Sequence, residues 1–258
     1  MNYSFLESEM IGKTVDKPVS GTLSGHAAGE PFDKLVNSII RERYPYSTYR
    51  QFEYLNKLFS DNSGARSYTA RTALFPNPTL AFLLNRGKSA VEKWSLSNLF
   101  EEKQNDTTDI VLIKDDSIFH LIDVKTRNID KKAQPPNIIS AYKLAQMCAY
   151  MIDNDDFNTF DIIYVEVDWK VDRQYLKCTN AVVREMFKAD PATLYINWAA
   201  ALQIQFHVCD LDQSYSGQKN WCYDYLRYFV KSTYKRTVKM KKQFAEPFEK
   251  YVRNDDSI

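Results

Sequence analysis

The chain has 258 residues and a mass of 30.1 kDa, which fits one large domain or two small ones. Apolar types make up 44% and charged types 26%, so disordered, collagen-like and coiled-coil classes are excluded. The net charge is only +1, but it is uneven: Lys219–Arg253 holds ten Lys or Arg against three acids, a local +7 that leaves −6 elsewhere. That segment reads either as a limited contact with a polyanion or as a solvated, lysine-rich helix.

Seven glycines are few, which argues against several glycine-rich phosphate loops. Gly12-Lys13-Thr14 lacks the first glycine of a phosphate loop, since Glu7 stands there. Gly21, Gly25 and Gly29 are spaced by four. They read either as amides offered to a phosphate or as a loop packed on a sheet. Leu194–Val208, the longest weakly polar stretch, is interrupted by Asn197, Gln203 and Gln205 and is too polar to span a bilayer. No signal peptide is visible. Cys148, Cys178, Cys209 and Cys222 are scattered without a C-x-x-C pair, so a reducing cytoplasm is the expected compartment.

In chain order, apolar spacing predicts helices over 33–43 and 78–94. Asp109–Arg127 predicts two strands around a polar turn at Lys114–Ser117. A loop with Gln134, Pro135 and Pro136 follows, then a long helix over Asn137–Asp153 capped by Ser140 or Asn137. Strands are expected at Asp161–Trp169 and Leu202–Val208, and a basic helix over Gln218–Phe244. The middle therefore runs β–β–α–β. This predicts a mixed central sheet flanked by helices, in the α/β to α+β range, within a single domain over 1–258. Its core would span about 100–210, with a basic helical segment at about 218–253.

The hairpin carries the chemistry. If its turn centres on Asp116, Ile113 faces Phe119, Val111 faces Leu121 and Asp109 faces Asp123. Lys125 then projects on the same side as Asp123. A turn centred half a residue earlier would set Asp109 against Ile122 and, absent a bulge, on the opposite face. Opposed β-carbons lie about 5 Å apart, and two carboxylates there repel by about 3 kcal/mol at an effective dielectric near 20. Such a pair needs a shared proton, a cation or a divalent metal. Magnesium prefers oxygen ligands, and the arrangement suits phosphodiester hydrolysis. Asp/Glu-x-Lys occurs four times, at Glu101, Asp123, Asp130 and Asp168; Asp168-x-Lys170 is the serious rival, but it lacks an opposed carboxylate. His26, His120 and His207 show no metal-ligand spacing, and the four tryptophans read as core or subunit interface.

With these residues in place, the chain resembles the HincII/HindII type II restriction endonucleases of the PD-(D/E)xK superfamily. The matching blocks are GTLSGHAAGEPF (21–32), FEEKQNDT (100–107), DVKTRN (123–128), PNIISAYKLAQ (136–146), YINWAAA (195–201) and QIQFHV (203–208). The resemblance implies a homodimer that cuts double-stranded DNA at GTYRAC with magnesium (Mg2+), leaving blunt ends, and that is paired with a DNA methyltransferase. It implies that Asp109 and Asp123 hold the metal with the Val124 carbonyl, and that Lys125 lies by the attacking water. Gln134 matches a glutamine that wedges between bases, flanked by Ala133 and Pro135. Asn137 and Asn197 match base-contacting positions, while Lys88 and Gln104 match positions near the DNA backbone. Two features depart from the family pattern. The Asp109–Asp123 spacing is one residue longer, and Pro135 replaces an alanine.

Overall fold

A computed structural model describes residues 3–18, 26–61, 64–104, 106–115, 117–132 and 134–252. The amino-terminal part runs α1 (Ser4–Met10), β1 (Thr14–Asp16), α2 (His26–Arg43), β2 (Thr48–Arg50), α3 (Gln51–Ser60), α4 (Tyr68–Thr72), α5 (Pro78–Leu84) and α6 (Lys88–Glu92). The centre runs β3 (Ile110–Lys114), β4 (Ile118–Asn128), β5 (Asn137–Ser140), α7 (Ala141–Asn154), β6 (Phe160–Asp172) and β7 (Tyr175–Glu185). Strands β8 (Tyr195–Asn197) and β9 (Gln203–Gln205) precede α8 (Gln218–Met240). Among the described residues no helix is long and apolar enough to cross a membrane.

The main sheet has the order β1-β7-β6-β4-β3-β2. Strands β4 and β6 are parallel, joined through α7, and the other pairs are antiparallel. A parallel pair needs a crossover long enough to return the chain to the same end of the sheet, and the helix supplies it. Strand β6 is buried for nearly its whole first ten residues, as expected of a central strand covered on both faces. Alternation along β3 and β4 sorts the core. Ile110, Leu112 and Ile122 pack on one face with Phe32, Val36 and Ile40 of α2. Val111, Phe119 and Leu121 pack on the other with α3, α5, α7 and α8. A buried side chain of this size contributes roughly 1.5–3 kcal/mol.

Two predicted helices differ from those observed. The 78–94 segment is split into α5 and α6. Asn77 caps α5 by accepting from the Leu80 amide at 2.7 Å, with Pro78 in the first turn. The helix ends at Asn85, whose ψ of 134° is extended. Arg86 then turns away to form a two-pronged pair with Asp106 at 3.0 and 2.6 Å. The helix expected from Asn137 begins at Ala141 instead. Ser140 is its cap, accepting from the Lys143 amide at 3.4 Å, and residues 137–140 are drawn into a small sheet of order β5-β9-β8. Helix α8 ends at Met240 and continues as a wider π turn to Ala245. Its first half is anchored by Trp221, whose indole N–H donates to the Ala189 carbonyl at 2.7 Å, and by Tyr225, whose hydroxyl donates to the Ala141 carbonyl at 2.9 Å. From Val230 onward most side chains are exposed.

Candidate active site

The polar turn does set the hairpin register. Ile113 faces Phe119, Val111 faces Leu121 and Ile110 faces Ile122. Asp115 takes the left-handed backbone (φ 49°) in the turn, a conformation aspartate tolerates better than most residues. One step before β3, the Asp109 amide donates to the Ile122 carbonyl at 3.1 Å, so Asp109 and Ile110 both stand against Ile122 and the regular ladder ends there in a bulge. The Asp109 carboxyl nonetheless lies within hydrogen-bonding reach of Asp123. Beyond the end of β3, an Asp109 carboxylate oxygen replaces the missing strand and accepts from the Val124 amide at 2.7 Å. Because a β residue points its N–H and C=O to the same side, the Val124 carbonyl is also directed past the end of β3, towards Asp109.

The electrostatics follow from crowding. Burial, then the neighbouring Asp123, raises Asp109 to about 7, while the Val124 amide and Lys125 pull the other way. Lys125 Nζ lies 2.7 Å from Asp123 Oδ2, with only 20% and 15% of the two side chains exposed. Burial works against the charge on Lys125, but Asp123, then Asp109 and Asp33, keep its pKa above the ordinary lysine value. One lysine therefore serves two carboxyls, and the pair holds a proton that a divalent cation would displace. Magnesium is commonly bound by one or two carboxylates plus substrate phosphate and water, so the donor set fits it. Among the described residues no three His, Cys, Asp or Glu side chains form a metal cage, so the remaining ligands would come from backbone, water and substrate.

Several residues that place these groups carry no sequence signature. Gln51 clamps the loop before Asp109: its carbonyl oxygen accepts from the amides of Thr107 and Thr108 at 2.9 and 3.1 Å. Its amide nitrogen donates to the Leu84 carbonyl at 2.8 Å. Arg50 grips Asp33 with two bonds of 2.7 Å and also pairs with Glu102. Asp33, raised first by burial, also feels the charge of Asp109. Gly29, within α2, lies against β4; a Cβ there would come within 3.0 Å of the Thr126 hydroxyl. Gly29 thus packs on the sheet, whereas Gly21 and Gly25 lie outside the described residues.

Asp123 and Lys125 open into a cavity of about 330 Å³ that is also lined by Gln104, Asn137, Gln203 and Lys143. Asn137 and Asn197, distant in sequence, are joined by Gln205. Asn197 donates to the Gln205 carbonyl oxygen at 2.8 Å, and Gln205 donates to the Asn137 carbonyl oxygen at 2.8 Å. This amide ladder crosses the small sheet; alternation of Gln203 and Gln205 around Ile204 was its one sequence signal. Gln134 is exposed and Pro135 half-buried in the loop before β5, and Ala133 lies outside the described residues. Lys88 is exposed at the start of α6, 3.9 Å from Glu92, and does not line the cavity. The rival Asp168 is held by Arg127 through two bonds of 2.7 Å, and Lys170 is exposed.

A mixed sheet whose central hairpin ends in two carboxyls and a lysine, with Asp123 and Lys125 open to a cavity, is the framework of a restriction endonuclease. The family model described as "Restriction endonuclease HincII" matches residues 6–252, and the chain belongs to that family. It is 55% identical over 251 residues to the type II restriction enzyme HindII of Haemophilus influenzae, covering 97% of each chain. It is 54% identical over 251 residues to the type II restriction enzyme HincII of the same species, again over 97% of each. The chain is thus an enzyme of the type II restriction class, and the matched region includes all of α8.

Proposed function

We propose that this enzyme hydrolyses double-stranded DNA at GTYRAC, with magnesium, as a homodimer that leaves blunt ends. The observation that carries this reading is the meeting of Asp109, Asp123 and Lys125 at one end of a hairpin beside the cavity. Asp109 and Asp123, with the Val124 carbonyl, would hold the magnesium ion. When bound, that ion supplies charge neutralisation at the phosphate and acidifies water. Lys125, kept cationic by Asp123, holds the attacking water by a hydrogen bond and offsets charge that develops on the phosphate oxygens. Asn137 and Asn197 present amides to base edges, and Gln205 orients both. Gln134, between Ala133 and Pro135, wedges into the base stack, an act eased at pyrimidine–purine steps. Gln104 and Lys88 approach the backbone.

A palindromic site offers two equivalent half-sites, which is the physical motive for a dimer with one active site per strand. Such an enzyme requires its host's DNA to be protected, and a companion methyltransferase working in the same cytoplasm would supply that protection. The test is digestion of a sequenced plasmid with magnesium, with a chelator control, followed by sequencing of the ends. Discrete blunt fragments ending at GTYRAC are expected. A gel shift without cutting would mean a DNA-binding module on an inactive nuclease fold, and cutting at no fixed sequence would mean a structure-specific nuclease.

A further inference from the structure

Lys143 breaks two local rules at once. It lies in the first turn of α7, where the helix dipole favours acids and no acid is present. It is also only partly exposed, and burial lowers its pKa, an effect that Asp106 offsets in part. Asp106 is already committed to Arg86 through bonds of 3.0 and 2.6 Å. Among the described residues no carboxylate pairs with Lys143, and its ammonium is held by a neutral acceptor, the Thr107 hydroxyl, at 2.8 Å. That hydroxyl spends its own hydrogen on the Leu83 carbonyl at 2.5 Å. A lysine has three N–H donors, so two remain for another acceptor. Lys143 lines the same cavity as Asp123 and Lys125.

A half-buried cation without a counter-charge, at the end of a helix that disfavours it, is a local cost with no structural return. Such departures from consistency collect at functional sites. The cavity offers one class of partner: an anion brought in from outside. We propose that Lys143 is a phosphate-binding group, its ammonium taking a non-bridging oxygen of the duplex backbone inside the cavity that holds Asp123 and Lys125. The proposal rests on the nuclease reading above and deepens it by assigning a residue to the substrate's backbone. Thr107 aims the ammonium, and through Gln51 and Thr108 the same loop places Asp109. One short segment therefore sets both the metal-binding carboxyl and the phosphate-binding lysine.

The experiment measures binding of the full-length enzyme to a short duplex carrying the mapped cutting sequence, in calcium, across a salt series. Each phosphate neutralised adds about 0.9 to the slope of log affinity against log salt. Lys143→Met, which keeps length and removes charge, is expected to lower that slope by about one and cleavage by about 10- to 100-fold. Lys143→Gln should do the same, and Lys143→Arg should restore the slope. Thr107→Val removes the tether but no charge, and should leave the slope unchanged. If Lys143→Met and Lys143→Gln bind with the wild-type slope, or Thr107→Val reproduces their loss, Lys143 only ties down the loop and the proposal fails. Wild-type protein that binds no duplex would overturn the nuclease reading itself, a different result from binding with an unchanged variant slope.

Discussion

Strands β4 and β6 are neighbours in one sheet and carry the same three-residue spelling, Asp123-x-Lys125 and Asp168-x-Lys170, yet the protein uses the two differently. Asp168 has a complete partner: Arg127, its register mate on β4, takes both its oxygens at 2.7 Å. Asp123 shares one lysine with a second partly buried carboxyl, Asp109, whose pKa burial and Asp123 raise to about 7. A third case lies on the opposite face of β4, where His120 meets the Tyr3 hydroxyl at 2.7 Å within the α1–α2 core. The difference teaches that a motif becomes a site through what its neighbours leave undone. Compensated polar groups hold the fold, and an under-compensated pair beside a cavity awaits a ligand.

The largest test of this contrast exchanges alanine into each motif. Asp123→Ala and Lys125→Ala should each reduce cleavage by roughly 10³-fold or more, while duplex binding in calcium survives. Asp168→Ala should do the reverse. It leaves the partly buried Arg127 with Glu166, at 3.4 Å, as its remaining carboxylate and lowers stability by about 1–2 kcal/mol, less than a fully buried pair would lose. Cleavage per folded molecule should hold. Urea titration and a cleavage time course on the three variants check the pattern. Equal behaviour of Asp123→Ala and Asp168→Ala would erase the distinction.

A smaller effect is expected at the amide ladder. Gln205→Leu keeps the volume of the side chain but removes the donor that holds Asn137 and the acceptor of the Asn197 amide nitrogen, while the Ala199 and Ala200 amides still hold the Asn197 oxygen at 3.0 and 3.2 Å. Discrimination between the cognate sequence and a single-base variant should fall by about 10- to 30-fold, or about 1.4–2 kcal/mol, within the range of one bidentate base contact. The salt slope of binding should not move, because no phosphate contact is removed. Competition binding with paired oligonucleotides reads both quantities. Loss of affinity for every sequence alike would make Gln205 a scaffold residue.

How far the amino-acid order foretold this arrangement depends on the range of the interactions. The hairpin register and the shared side of Asp123 and Lys125 are legible because a polar turn and strict alternation fix them locally, whereas Asp109 comes beside Asp123 through an irregularity at Ile122 that spacing does not record. Local spacing places Asn137 in or at the cap of the helix because its pairing with Gln205 on β9 is a long-range contact that no local period records. Gln51 and Arg50 were silent for the same reason: their acceptors and donors come from segments far along the chain. Asn85 and Gly87 are ordinary break signals, but they were overridden by apolar spacing on either side. Lys143 could be seen only once α7 was laid beside the end of β3.

The smallest effect concerns His120. Burial first, with Lys114 adding to it, lowers its pKa to about 4, so the folded protein holds it neutral. An unfolded histidine takes its proton near pH 6.5. Below that value the unfolded state binds the proton and the folded state does not, so stability is present above about pH 6.5 and falls as pH drops towards 4. Between pH 7.5 and 5 this single group should remove about 1–2 kcal/mol. His120→Gln keeps a polar partner for Tyr3 without titrating, and its urea midpoint should lose correspondingly less over that interval. Because this group faces away from Asp123, the same variant should leave the pH profile of cleavage unchanged. A shifted cleavage profile would show that the two faces of β4 are coupled, and that a compensated group on one side of the sheet sets the charge of the uncompensated pair on the other.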